Sequence, residues 1–241
     1  MKLEDYLKEL EKYKTYAGKV SIDQWLRWTG AAHLGHYMEN LKKIDLIVPA
    51  FAVKAAEHKL NVLQEFEKTW ENSAKLEKDF QDAYIGIFNL GIVEKEKIIR
   101  CSQPSYADLS WFIGDLGARA IINLRNETEY WDGYTLKNEE EACAEYWAEH
   151  VHMPMEDWDD PPPTKEQINA VLEKINFYIK PIIIHCGEGK NRTSLISAAY
   201  KLTKMGKIWD EVIEEEKEFG FDPEMNPNQM ALMKSFVPGN V

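Results

Sequence analysis

The stretch that most restricts the fold is Ile182-Ile183-Ile184-His185-Cys186-Gly187-Glu188-Gly189-Lys190-Asn191-Arg192-Thr193. A short apolar run, suited to a buried strand, ends in His185-Cys186. A loop with two glycines follows, and a segment of helical character begins at Thr193. Strand, loop and helix in that order belong to an α/β sheet. The place also has a chemistry of its own. Free N–H groups at a helix N-terminus point at an anion, and the helix dipole adds positive potential. The same field stabilises a thiolate, so Cys186 is a candidate nucleophile.

Each residue type in the loop has a reason to be there. Gly187 and Gly189 let successive amides turn toward one anion. Glu188, Lys190 and Asn191 complete the phosphate-binding backbone, and Lys190 adds a cation that Glu188 cancels. Arg192 follows close enough for a curled loop to bring its guanidinium over the anion. There its planar fork can hold two oxygens at once. Thr193 can donate its hydroxyl to the sulfur. A buried structural cysteine in a strand-to-helix turn is the competing reading. It does not account for strand, Cys, glycines, Arg and helix arriving in that order.

His185, Cys186, Gly189, Arg192 and Thr193 resemble the His-Cys-x5-Arg-Ser/Thr signature of the cysteine-based protein tyrosine phosphatase superfamily, in its dual-specificity-like branch. The resemblance implies a mostly parallel central sheet flanked by helices. It implies a phosphocysteine intermediate, and neither a metal nor another cofactor. It also implies a general acid on a loop ahead of the cysteine, where this chain has Met153-Pro-Met-Glu-Asp-Trp-Asp-Asp-Pro-Pro-Pro163. Asp157 fits the Pro-x-x-Asp pattern, with Glu156, Asp159 and Asp160 as competitors. A second match is Asn89 to Pro104, similar to the opening hairpin of small dual-specificity-type phosphatases. The resemblance covers about residues 85–220. It implies a phosphorylated protein or a small phosphorylated molecule as substrate, with tyrosine or dual specificity first. Inositol phosphates or phosphoinositides, RNA 5′-triphosphate, and a non-catalytic phosphate-binding module are the alternatives.

Composition narrows the field further. The net charge of −12 disfavours nonspecific nucleic-acid binding, which needs cationic surface to replace counterions. No run of eighteen apolar residues occurs, so no membrane span is expected. Met1-Lys2-Leu3 leads directly into a charged helical pattern without a signal-peptide core. Three cysteines, Cys101, Cys143 and Cys186, form no disulfide framework, and a cytoplasmic location is expected. Cys101 is either a packed cysteine or a redox partner of Cys186. Nothing in the sequence sets the oligomeric state.

The organisation changes near residue 85. Residues 1–84 read as a helical N-terminal region, a packed bundle or a cap; residues 85–241 read as the catalytic domain. Leu3, Tyr6, Leu7, Leu10 and Tyr13 recur at helical spacing. So do Trp25, Leu26 and Trp28 through Leu34, and Leu60, Leu63, Phe66 and Trp70, with breaks at Gly18 and Pro49. His33 and His36 share a helix face without further metal-ligand spacing. Beyond residue 85 the pattern predicts strands at 92–100, 119–124, 149–154 and 181–185. It predicts helices at 105–116, 138–148, 164–179, 193–205, 208–218 and 223–236. Ser105 with Asp108 and Thr164 with Gln167 have capping-box spacing. Leu195, Ala198, Ala199, Leu202 and Met205 form a predicted buried stripe, and Glu214 to Glu218 a predicted solvated face. Asn123 and Arg125 are expected to buttress loops, and His150 and His152 to share one strand face.

Overall fold

The computed structural model describes residues 1–16, 24–70, 87, 89–126, 136–157 and 161–237. The chain forms two compact units, Met1–Gly91 and Ile92–Val241. The first holds α1 (Leu3–Tyr16), α2 (Gln24–Asp45) and α3 (Pro49–Trp70), each packed on the other two. Pro49 opens α3 because a first helical turn needs no N–H at that position and the ring pre-sets φ. The apolar spacing of α1 does what it predicts: Leu3, Tyr6, Leu10 and Tyr13 are buried, with Leu7 on the margin. Leu34, Leu41, Leu60 and Leu63 meet them from within the same unit. The Tyr37 hydroxyl donates to the Ala55 carbonyl at 2.8 Å, which satisfies a polar group the core would otherwise strand. His36 Nε2 lies 2.5 Å from Asn89 Oδ1. The side chains of Trp25, Leu26, Trp28, His33, Phe66 and Trp70, and Gly18 itself, lie outside the described residues.

The second unit is built on a five-stranded sheet in the order β1-β2-β5-β3-β4. The strands are β1 (Gly91–Glu94), β2 (Ile98–Cys101), β3 (Ala120–Asn123), β4 (Glu149–His152) and β5 (Ile182–His185). Strand β2 pairs parallel with β5, β5 with β3, and β3 with β4. The single strand predicted at 92–100 is two, because residues 95–97 turn, with Glu96 at φ +61 and Lys97 N–H donating to the Glu94 carbonyl at 3.1 Å. A connection that short can only reverse the chain. The register sets Cys101, His185, Asn123 and His152 in one row across the carboxyl ends of the parallel strands. Ligands of open α/β sheets bind just beyond such an edge.

Helices cover both faces, since every residue of β2, β3 and β5 is buried. On one face α6 (Lys165–Phe177), α7 (Asn191–Thr203), α8 (Trp209–Glu218) and α9 (Pro227–Lys234) share a core with Ile98, Ile122, Ile182 and Ile184. Burial of each such isoleucine contributes about 1.5–3 kcal/mol. The other face takes Ile99, Ile121 and Ile183 by strand alternation, together with α4 (Tyr106–Ser110) and α5 (Leu136–Glu145). Both predicted capping boxes form, Ser105 with Asp108 and Thr164 with Gln167. The helix predicted over 105–116 is one α-helical stretch that widens into a π-helix at Trp111–Asp115, and Gly117, at φ +72, ends it.

Two helix faces differ from expectation. Met205 lies past the end of α7 and is 38% exposed, so the buried stripe stops at Leu202. Glu216, inside a run expected to be solvated, is completely buried because Arg100 and Lys201 neutralise it.

Candidate active site

The site begins where β5 stops. His185 is the last strand residue, Cys186 the first beyond it, and α7 opens at Asn191. No side chain caps that helix, which leaves its first N–H groups to the loop. Two donors converge on Cys186 Sγ: the Gly189 N–H at 3.2 Å and the Thr193 hydroxyl at 3.1 Å. Gly189 sits at φ +69, and a Cβ there would lie 2.6 Å from the Cys101 carbonyl oxygen, so only glycine fits. The Gly187 carbonyl accepts from Gln103 N–H at 2.9 Å, which ties the loop to the segment after β2. Lys190 Nζ lies 3.0 Å from Glu188 Oε2, both partly exposed.

Arg192 is 2% exposed despite its charge. Its Nη1 donates to the Leu124 and Met155 carbonyls, each at 3.3 Å, and its Nε lies 3.1 Å from Asp157 Oδ1. The Asp157 carbonyl accepts from Gln229 on α9 at 3.1 Å, and Glu156 accepts from Asn126 at 3.0 Å. Thus the structure brings Cys186, Gly189, Arg192, Thr193 and Asp157 together. Glu156 points to Asn126 instead. Asp159 and Asp160 lie outside the described residues.

Behind the loop is a buried polar cluster. Glu139 of α5 lies 3.4 Å from His185 Nε2 and 3.0 Å from His150 Nε2. It accepts from Asn123 at 2.7 Å and from Gln103. Burial alone would raise the Glu139 carboxyl, but His185, His150 and Gln103 outweigh it and hold that carboxyl well below the usual carboxylate range. Arg125 Nη1 donates to Gln103 Oε1 at 2.8 Å, and Asn123 accepts from Arg125 N–H at 2.8 Å. Both therefore support loops, and both histidine rings of β4 lie on one face, 6.5 Å apart. Cys101 pairs in register with His185 and so takes the face opposite Cys186, which clusters with Ile182 and Ile184. Burial, then the negative charge of Asp108, pushes its thiol well above the usual range. That is the setting of a packed cysteine. Among the described residues, no group of three or more His, Cys, Asp or Glu is placed to hold a metal ion.

Residues 90–232 match the family described as DSP-PTPase phosphatase fused to NAD+ kinase. The chain belongs to that family. Its fold is similar to two solved structures. One is a DUF442 protein from Shewanella putrefaciens CN-32, at 16% identity over 65% of this chain and 93% of that one, with a TM-score of 0.54. The other is the core catalytic domain of the PP-IP phosphatase Siw14 from S. cerevisiae, in complex with citrate, at 22% identity over 62% and 85%, with a TM-score of 0.51. Comparison with curated proteins finds no match. In this member of the DSP-PTPase family, sequence reasoning missed Glu139 and the carbonyls of Leu124 and Met155. Glu139 sits in an acidic helix, Glu139-Glu140-Glu141, where nothing separates a buried carboxylate from exposed ones. A carbonyl carries no side-chain signal at all. Among the described residues, no helix is long and apolar enough to cross a membrane.

Proposed function

We propose that this chain hydrolyses phosphomonoesters through a phosphocysteine, with phosphotyrosine and dual-specificity phosphoprotein substrates as its class. The observation that carries the reading is the convergence of the Gly189 N–H and the Thr193 hydroxyl on Cys186 Sγ, beside a buried Arg192.

In the first step the Cys186 thiolate attacks phosphorus. An S–P bond forms, the P–O bond to the leaving group breaks, and the leaving oxygen takes a proton from Asp157. Arg192 and the amides of residues 187–192 hold the non-bridging oxygens. In the second step Asp157, now a carboxylate, takes a proton from water as that water attacks phosphorus. The S–P bond breaks, and sulfur departs as a thiolate that accepts from Thr193. The proximity of Asp157 to Arg192 and the hold of Gln229 on its backbone support it as the acid over Glu156, which accepts from Asn126.

The Lys190–Glu188 pair favours a singly phosphorylated group over an inositol polyphosphate, because Glu188 cancels the loop's extra cation. The net charge of −12 weighs against RNA 5′-triphosphate. We place catalysis in residues 85–241, read residues 1–84 as a helical region that is a packed bundle or a cap, and place the protein in the cytoplasm. The three cysteines, all free thiols, suit a reducing compartment.

The test is turnover on phosphotyrosine and phosphoserine peptides, inositol phosphates and triphosphate RNA, with acid quench on labelled substrate. Phosphotyrosine turnover with label trapped on the wild-type protein, and neither in Cys186→Ser, is expected. Turnover without trapped label, or turnover surviving in Cys186→Ser, overturns the mechanism. Inositol phosphate as the sole substrate overturns the substrate class.

A further inference from the structure

The anion loop is held from behind by an arginine outside the signature. Arg100 of β2 is completely buried. Its Nη1 donates to Glu216 on α8. Its Nη2 donates to the Gly189 carbonyl and, at 3.1 Å, to Ser194 Oγ. The guanidinium carbon lies 4.0 Å from the centre of the Phe219 ring. One planar cation thus joins the loop, the first turn of α7, the end of α8 and the turn beyond it. That turn reaches the loop a second time. A Cβ on Gly220 would lie 3.2 Å from the carbons of the Lys190 side chain.

The contact with the Gly189 carbonyl has a direct geometric effect. A trans peptide sets its C=O and N–H on opposite sides. A donor that fixes the Gly189 oxygen at the back of the loop therefore turns the Lys190 N–H the other way, toward the anion. Rotation of that peptide would replace an inward N–H with an inward carbonyl, which repels both a phosphate and a thiolate. Glu216 keeps Arg100 in place and is itself shared, accepting from Lys201 at 2.7 Å; Lys201 also lies 2.8 Å from Glu215.

We propose that Arg100 is a positioning residue of the active site: through the Gly189 carbonyl it fixes the Gly189–Lys190 peptide with its N–H toward the anion, and Glu216 anchors it for that task. The proposal rests on the reading of the Cys186 loop as a phosphatase site. Among the described residues, the charged and titratable groups about the loop include Arg192 with Asp157, His185 with Glu139, Lys190 with Glu188, Arg125 and Cys101. All of them stay in place in the variants below.

The full chain is assayed for vanadate inhibition, for the pH dependence of Cys186 alkylation by iodoacetamide, and for thermal midpoint. Arg100→Lys keeps a charge beside Glu216 but cannot span Gly189 and Ser194 together. It is expected to weaken vanadate inhibition about tenfold and to move the alkylation midpoint up by about one pH unit, as the loss of one charge-assisted contact implies. Glu216→Gln is expected to weaken vanadate inhibition about threefold and to raise the alkylation midpoint by about half a pH unit, since the anchor becomes neutral. Lys201→Met breaks the other half of the Glu216 pair without touching the loop. It is expected to lower the thermal midpoint and leave vanadate and alkylation unchanged. Wild-type values in a folded Arg100→Lys overturn the proposal, as do equal losses in Lys201→Met. Where Arg100→Lys does not fold, Glu216→Gln decides by the same criteria. Alkylation needs no turnover, so a wild-type protein inactive on every phosphomonoester overturns the phosphatase reading while the alkylation comparison still decides Arg100.

Discussion

Asp157 Oδ1 lies 3.1 Å from Arg192 Nε, so the proposed proton donor already rests on the proposed phosphate clamp. The arginine side chain is 2% exposed and the aspartate 44%, which makes the pair a lid of one residue over a buried cation. An arriving phosphate meets a guanidinium whose edge a carboxylate already shares. On the proposed mechanism the same carboxyl swings from the cation to the leaving oxygen.

Asp157→Asn tests both halves of that relationship. The proton donor is lost, so kcat on phosphotyrosine should fall by about 100-fold, within the range for a general acid. An aryl phosphate with a good leaving group should lose much less. Removal of the competing charge should also tighten inhibition by inorganic phosphate. Equal loss of kcat on both substrates would move the acid to Asp159 or Asp160.

Arg192→Lys should lower kcat/KM by about 10²–10³, the scale for removal of one donor to transition-state charge. A lysine keeps the charge but cannot reach Leu124, Met155 and the phosphate with one ammonium. Steady-state kinetics on a phosphotyrosine peptide, read beside a thermal melt, separates that loss from unfolding.

Gly189→Ala should cost both stability and activity. Alanine at φ +69 is strained by about 1–2 kcal/mol, and its Cβ would lie 2.6 Å from the Cys101 carbonyl oxygen. Relief requires the loop to leave Cys186, so turnover should collapse further than the melting temperature falls. Gly187→Ala, whose Cβ finds nothing nearer than 3.9 Å, is the milder control for stability.

Glu139→Gln tests the cluster behind the loop. The Glu139 carboxyl is held below its unfolded value, so its contribution is present above that value and lost as pH falls through the lower, folded one. The variant should be less stable than wild type by about 3 kcal/mol at pH 7. That difference should stay flat down to about pH 5 and shrink below about pH 4. Urea melts at several pH values read it directly; a difference that grows on acidification contradicts the assignment.

The sequence made the anion loop and the sheet legible for the same reason. Ile182 to Ile184 must be buried, and the loop after them needs glycine, cysteine and arginine in one order. Capping boxes were legible because their partners lie three residues apart in the chain. What escaped depends on distant residues. Glu216 reads as surface until Arg100, far away in sequence, is seen to occupy the same space. Glu139 reads as one of three acids until His185 and His150 close on it. The turn at residues 95–97 escaped because charged residues in a β-rich stretch fit an exposed strand as well as a reversal.

Strand β5 is the middle of the sheet, hydrogen-bonded to β2 on one side and β3 on the other. Bonded on both sides, it is of the kind of element expected to open last, whereas residues 153–157 are held by separate bonds from the Met153 and Met155 N–H groups and from Gln229. The proposed nucleophile thus follows directly on a strand bonded on both sides, and the proposed proton donor lies on a segment held by fewer, separate bonds. On the proposed mechanism, one half of the chemistry keeps its geometry through many turnovers, and the other half admits a substrate and lets a product go.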